Sequence, residues 1–346
     1  MTVGHDDRID SYLECLEQEA RHYRGMTIET LYLGGGTPGY LTLEQLRKLF
    51  VIIRKNFQLT SDCEVTLEAN PEGLHPDKAK LLRDLGVNRI SLGIQTTNDK
   101  YLKYLGRCHD ARTAVSAFEN LRKAGFENIN LDLMYSFPGQ TDQEIRDDVR
   151  ALVSLDSEHV SLYTLTIEEP SKFFVSQMTL DNDKKLARQY ELVSELLNQT
   201  EFRQYEISNF AKPGRESEHN FNYWEIGSYI GLGVAAHSHM NGERCWNVLR
   251  TDLYISKVKN GESPRAGSEK LSADQQLMEM ILFGLRMNKG VDLTGAQKRA
   301  GCCLEPQKEI KINELIDAGF LLKDSGRLKA APQGRLILDE ICGRLI

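Results

Sequence analysis

The sequence predicts an α/β fold of repeated βα units around a parallel sheet, and three observations carry that expectation. From about residue 10 to residue 210, short β-branched or apolar runs alternate with longer segments of helical period, the rhythm of strands joined by crossover helices. With 346 residues, 40% of them hydrophobic, the chain can bury a real core. That length suits about two domains of roughly 150 residues, or one barrel that absorbs most of it. After residue 209 the periodicity turns irregular, and from residue 271 it becomes helical again. Three segments are therefore expected: a barrel over 1–208, a loop-rich or β-containing α/β extension over 209–270 and a small helical, winged-helix-like C-terminal domain over 271–346.

The opening helix, Ile9 to Tyr23, places Leu13, Leu16 and Ala20 on one face. No strand precedes it, although a βα series should begin with one. Thr30 to Leu33 reads as a strand followed by a helix over Leu43 to Phe57. Cys63 to Leu67 leads to Asp77 to Leu85, and Arg89 to Ile94 leads to helices over Asp99 to Leu105 and Ala111 to Ala124. Ile129 to Met134 precedes Asp142 to Leu155, His159 to Leu165 precedes Asn182 to Asn198, and Phe202 to Ser208 closes a series of about six strands. In the extension, Trp224, Gly227, Gly231, Gly233 and Trp246 interrupt any period. Leu271 to Met287 is an amphipathic helix. Glu309 to Leu322 is another, running into a turn and short hairpin over Asp324 to Lys329, as in a small winged-helix-like domain.

A net charge of −7 argues against a broad nucleic-acid-binding surface. No apolar stretch approaches the roughly 20 residues of a spanning helix, so an integral membrane protein is not expected. The seven cysteines, at 15, 63, 108, 245, 302, 303 and 342, are odd in number and scattered, with no CxxC pair. That is unlike a secreted disulfide framework and suits a reducing cytosol. Met1 to Asp10 lacks the apolar core of a signal peptide, so a cytoplasmic location is expected.

Leu33-Gly34-Gly35-Gly36-Thr37-Pro38 lies between a strand and a helix. Three residues without a Cβ bring backbone amides and carbonyls within reach of a ligand at the carboxyl end of the sheet. The spacing is neither that of a nucleotide P-loop nor that of a dinucleotide fold; a tight turn with no ligand is the alternative. Glu68, in Thr66-Leu67-Glu68-Ala69-Asn70-Pro71, stands where a strand runs out and can accept hydrogen bonds from a ribose diol, unless it is a solvated loop carboxylate. Gln95 and Asp132 hold equivalent late-strand positions, on the face where the sites of barrel-like folds gather. Asp132 lies within an apolar run and needs a partner. Arg107 is the candidate, for Asp132 or for a ligand carboxylate, with a purely structural ion pair as the alternative.

Taken in order, GGGTP, EANP, SLGIQ, LGR and NLDLMYSFPGQT are far more specific together than singly. The chain resembles the oxygen-independent coproporphyrinogen III oxidase-like group of radical S-adenosylmethionine (SAM) proteins over nearly its whole length. The resemblance implies a partial TIM-type (βα)6 barrel that binds SAM and a 4Fe-4S cluster, with smaller C-terminal elements. It also implies that Gly35, Gly36, Thr37, Glu68, Gln95, Arg107 and Asp132 contact SAM, including a second SAM molecule in the oxidase. His219-Asn220-Phe221-Asn222-Tyr223-Trp224 resembles the HNxxYW signature of the group's heme chaperones (HemW type) rather than the oxidases. An imidazole can ligate heme iron, and an adjacent Tyr-Trp pair can pack on a porphyrin while keeping polar handles for its propionates. His219 is thus the implied heme ligand; the alternative is an ordinary hydrogen-bonded histidine with Trp224 as a core anchor. His237 and His239 alternate onto one strand face and read as structural rather than metal-binding.

One part of the group's pattern is absent: CxxxCxxC just after the first strand, whose thiolates hold the cluster. Cys15 stands alone on the opening helix, and Cys302-Cys303 are too close together to replace it, so no metal ligand is assigned. A shortened amino terminus accounts for the missing strand and the missing motif together, the cluster being expected only where that segment is present. A cluster-free paralogue, in which SAM is not reductively cleaved, is the alternative. The implied function is a heme chaperone that binds heme and passes it to respiratory or other hemoproteins. Coproporphyrinogen III oxidase and a cluster-free heme-binding protein are its rivals.

Overall fold

The computed structural model describes residues 8–167, 169, 179 and 181–346; most of the Met1 to Asp10 stretch read for a leader lies outside them. Helix α1 (Ile9–Ala20) ends in a 3-10 turn over Arg21–Tyr23. There follow β1 (Met26–Leu33), α2 (Leu43–Asn56), β2 (Phe57–Ala69), α3 (Pro76–Asp84), β3 (Arg89–Gln95), α4 (Asp99–Leu105) and α5 (Ala111–Lys123). The series continues with β4 (Ile129–Tyr135), α6 (Asp142–Ser154), β5 (His159–Thr164) and α7 (Asp183–Asn198). Local chemistry starts these helices where the sequence suggests. Asn98, Asp110 and Asn182 each accept a backbone N–H at an N-cap, and Thr141 with Glu144 forms a capping box.

The seven-stranded sheet has the order β1-β2-β3-β4-β5-β7-β6, and β2 through β5 pair in parallel, the curled α/β half-barrel that was expected. Its last strand differs from expectation. Instead of one strand over Phe202 to Ser208 there are β6 (Arg203–Gln204) and β7 (Asn209–Ala211), paired antiparallel. Strand β7 is also antiparallel to β5, so it inserts between β5 and β6. The few residues joining β6 to β7 allow only a hairpin, since a parallel return needs a crossover of a dozen or more.

Alternation along the strands gives the sheet two unlike faces. Ile90, Leu92, Ile94, Leu131, Leu133, Val160 and Leu162 are buried on one, as strands covered by helices require. The other carries Arg89, Ser91 and Gln95 on β3, Asn130 and Asp132 on β4, and His159, Ser161 and Tyr163 on β5. This polar face positions the site.

The chain divides into two compact units, one of residues 30–43 and 64–216, the other of residues 1–29, 44–63 and 217–346. This differs from a linear division at 208 and 270. The opening helix belongs with the C-terminal half, because Cys15 packs with Val248, Tyr254 and Val258. In that unit α8 (Glu218–Trp224), β8 (His237–Met240), β9 (Glu243–Asn247), α9 (Thr251–Lys259) and β10 (Arg265–Lys270) follow one another. The strands form an antiparallel sheet of order β10-β9-β8.

The C-terminal elements are α10 (Ala273–Gly284), β11 (Val291–Asp292), α11 (Leu293–Ala300), α12 (Pro306–Asp317), β12 (Leu321–Asp324), β13 (Arg327–Ala330), α13 (Pro332–Leu336) and α14 (Leu338–Leu345). A three-stranded sheet of order β11-β13-β12 with helices between β11 and β12 has the winged-helix-like arrangement. Helix α12 stops at Asp317, short of the expected Leu322, because Gly319 takes φ +77°, the left-handed conformation that ends helices. Among the described residues no helix is long and apolar enough to cross a membrane.

Candidate functional site

At the carboxyl ends of the parallel strands lies a cavity of about 390 Å³, lined in part by Thr37, Glu68, Gln95, Arg107 and Asp132. Five of the seven residues assigned to SAM thus meet in one place. Gly35 and Gly36 belong to the loop after β1 without lining the cavity. Gly35 reaches it indirectly: its N–H donates to Glu68 Oε2 at 3.1 Å, while Tyr32 Oη donates to Glu68 Oε1 at 2.8 Å. Glu68 therefore clamps the glycine loop as well as facing the cavity, which the ribose reading of this residue does not include. Gly34 has no room for a side chain. A Cβ there would stand 2.7 Å from Tyr32 Cε1 and 2.9 Å from Glu68 Oε1.

Two residues of the lining hold backbone conformations that L-residues rarely adopt, Thr37 at φ +54° and Gln95 at φ +66°. Such strain persists where the surroundings over-determine it, and it gathers at functional sites. Around Gln95 the register of β3 against β4 shifts between Leu92 and Gln95. Gly93 sits inside that irregularity, and a Cβ on it would lie 2.9 Å from Gln95 Nε2.

Arg107 does not pair with Asp132. Its Nη1 donates to Asn70 Oδ1 at 3.2 Å, because Gly106 (φ +71°) ends α4 and turns Arg107 toward the loop after β2. Asp132 instead accepts from Asn130 Nδ2 at 2.7 Å and from Ser91 Oγ at 3.3 Å. Burial pushes its carboxyl up to about 7; Asn130 opposes this, and the nearby Glu68 charge adds to it. The cavity thus offers a guanidinium, two carboxylates and several amides and hydroxyls. This donor set fits SAM, with Arg107 suited to the amino-acid carboxylate, Asp132 to a cationic group and Glu68 or Gln95 to a diol.

A 4Fe-4S cluster finds no such fit. Among the described residues no three His, Cys, Asp or Glu side chains stand together as a metal site, and in the unit that holds the cavity the one cysteine is the exposed Cys108.

The HNFNYW string forms α8, started by Ser217, whose side chain accepts from Asn220 N–H at 3.3 Å. His219 Nε2 lies 3.1 Å from Tyr223 Oη with the rings edge to face, and Tyr223 meets Tyr229 at a centroid distance of 4.7 Å. Trp224 turns elsewhere, stacking on Phe283 and lying under the Arg286 guanidinium. The expected Tyr-Trp platform is therefore split, since neighbouring helical residues point to different sides. His219, Tyr223 and Tyr229 form the aromatic group instead. His237 stacks on Trp246, and the buried His239 places Nδ1 3.1 Å from the Gly227 carbonyl.

Sequence reasoning passed over Asn70, Ser91, Asn130 and Tyr163. A signal existed for three of them: polar residues recur at every second position of strands otherwise rich in Ile, Leu and Val. Asn70 has no such signal.

Residues 5–152 match the radical SAM superfamily, and residues 271–337 match the HemN C-terminal domain. Heme chaperone HemW of Bacillus subtilis (strain 168) is 35% identical over 347 residues, 98% of this chain and 92% of that protein. Heme chaperone HemW of Escherichia coli (strain K12) is 37% identical over 350 residues, 98% of this chain and 89% of that one. Among solved structures, coproporphyrinogen III oxidase (HemN) from Escherichia coli, a radical SAM enzyme, superposes with a TM-score of 0.86 at 22% identity. That alignment covers 100% of this chain and 84% of the oxidase; it is a likeness of fold.

Proposed function

The chain belongs to the HemW heme chaperones of the radical SAM superfamily, and from that membership we propose that it binds heme and passes it to hemoproteins, with SAM held in the half-barrel cavity. The observation that supports heme binding is the His219–Tyr223–Tyr229 group, an imidazole beside two phenol rings with Tyr223 39% exposed. Imidazole supplies an axial ligand for iron, and the phenols supply apolar faces with polar tips. The recipients are proposed to be respiratory or other hemoproteins, reached in the cytosol.

When bound, SAM supplies a sulfonium whose carbon–sulfur bonds are activated for cleavage. The residues of this chain hold and orient it: Arg107 takes the carboxylate, Asp132 offsets the positive charge, and the glycine loop clamped by Glu68 gives the backbone its close approach.

Titrating heme into the wild type and into His219→Ala tests the reading. We expect the variant to lose the Soret shift of histidine-ligated heme and to bind at least about tenfold more weakly, a lost contact of about 1.4 kcal/mol. An unchanged affinity and spectrum would remove His219 from the site. In an anaerobic assay with coproporphyrinogen the chaperone is expected to form no protoporphyrinogen, and turnover there would favour the oxidase reading.

A further inference from the structure

Beneath the cavity, the polar face of the half-barrel carries a hydrogen-bonded chain that ends on Asp132. His159 is fully buried, with Nδ1 2.6 Å from Asn130 Oδ1 and Nε2 2.8 Å from Tyr205 Oη. Asn130, 2% exposed, presents Nδ2 at 2.7 Å to both Asp132 Oδ1 and Ser91 Oγ, while its Oδ1 also accepts from Ser161 Oγ at 3.1 Å.

With Asp132 ionised, these contacts permit one direction. An ionised carboxylate only accepts, so the amide nitrogen of Asn130 must face Asp132 and its oxygen must face His159. The imidazole then carries its proton on Nδ1 and accepts the Tyr205 phenol proton at Nε2. Doubly protonated imidazole is disfavoured, because burial and the neighbouring Arg89 charge hold His159 well below its ordinary range. Arg89 is itself 2% exposed, with its Nε buried and without an acceptor, so a second cation beside it would be costly. Donors from Tyr205, His159 and Asn130 all point toward the cavity carboxylate, and aligned bonds of this kind polarise one another.

We propose that His159 is a positioning residue for the cavity: it locks the Asn130 amide so that Asp132 is presented as an acceptor to a cationic group of the bound ligand. The ligand part rests on the reading of the cavity as the SAM site; the locking part does not. Asp132 is faced by Glu68 from β2, Arg89 and Ser91 from β3, Asn130 from β4, Tyr163 from β5, Tyr32 from β1 and Arg107 after α4. Of these, Asn130 and Ser91 are the ones that donate hydrogen bonds to it.

The test uses the full chain labelled with [13Cγ]aspartate, with Asp132→Asn to assign the resonance, titrated from pH 5 to 9. In the wild type the midpoint is expected near 7. His159→Phe, which fills the space without donating, is expected to raise it by about one pH unit or more, and His159→Gln, which can donate again, to bring it back. Tyr205→Phe removes only the hydroxyl; it is expected to move the midpoint the same way by less, and it carries the test where His159→Phe does not fold. A midpoint unmoved in the variants overturns the proposal. Calorimetric titration with SAM across the same range gives the second readout. Affinity should rise as Asp132 ionises and fall about fivefold at pH 7 in His159→Phe, as the ionised fraction drops with a midpoint raised by about one unit. If the resonance moves while SAM binds neither protein, the lock stands and the SAM reading fails; if SAM binds the wild type with no rise across the midpoint, the ligand part is overturned.

Discussion

The Gly34→Ala substitution is expected to weaken SAM binding by about tenfold to a hundredfold while the protein still folds. The new methyl carbon would need space already held by the Tyr32 ring at 2.7 Å and by Glu68 Oε1 at 2.9 Å, both well inside van der Waals contact. Something must move, and what moves is the clamp: the Tyr32–Glu68 bond of 2.8 Å and the Gly35–Glu68 bond of 3.1 Å share that carboxylate. Overpacking of this size costs about 1–3 kcal/mol, which corresponds to the stated loss where it falls on the bound loop conformation. Gly34 is exposed and lies in a loop rather than the core, so the melting temperature should change little. Equilibrium binding of SAM by calorimetry, beside a thermal melt, measures both. An unaltered affinity would mean that the loop takes no part in the site.

Glu19→Ala is expected to produce the largest loss of stability, about 2–5 kcal/mol, because buried donors that lose their acceptor cost about 1–3 kcal/mol each. Glu19 is 7% exposed, and three donors converge on it: Asn247 Nδ2 at 2.6 Å on one oxygen, and Gly233 N–H at 2.8 Å with Tyr254 Oη at 2.6 Å on the other. Removing the carboxylate leaves all three buried without that acceptor. The Tyr254 ring lies in the cluster that joins α1 to α9, and burial together with the Glu19 charge raises its phenol pKa. Glu19→Gln should cost less, because its amide oxygen still serves one side of the set. Urea unfolding of the two variants and the wild type measures the order; a Glu19→Ala loss below about 1 kcal/mol would show the network to be dispensable.

Much of the site was legible in the sequence because its signals are local. Glycines between a strand and a helix, a carboxylate where a strand ends and a polar residue inside an apolar run each follow from chain geometry over a few residues. Thr37, Glu68, Gln95, Arg107 and Asp132 accordingly reach one cavity. The resemblance that placed the chain among heme chaperones rested on the same short strings. Strand β8 was legible in part, from His237 and His239 on one strand face; β9 and β10 were not, being five and six residues long and, as in Arg265–Lys270, lacking apolar alternation.

What the sequence by itself determined is the βα series and the family, and it pointed to the loop and late-strand residues that reach the cavity. Period and turn chemistry act within a few residues and need no knowledge of the rest of the chain. Partners were decided only by the tertiary structure. Arg107 bonds Asn70 rather than Asp132, β7 enters between β5 and β6, α1 joins the C-terminal unit through Glu19, and His159 lies one hydrogen bond behind Asn130. Each of these depends on register between strands or on packing between segments as much as 235 positions apart. No local period encodes such pairs, because burial and hydrogen-bond satisfaction choose them only once the whole fold has closed.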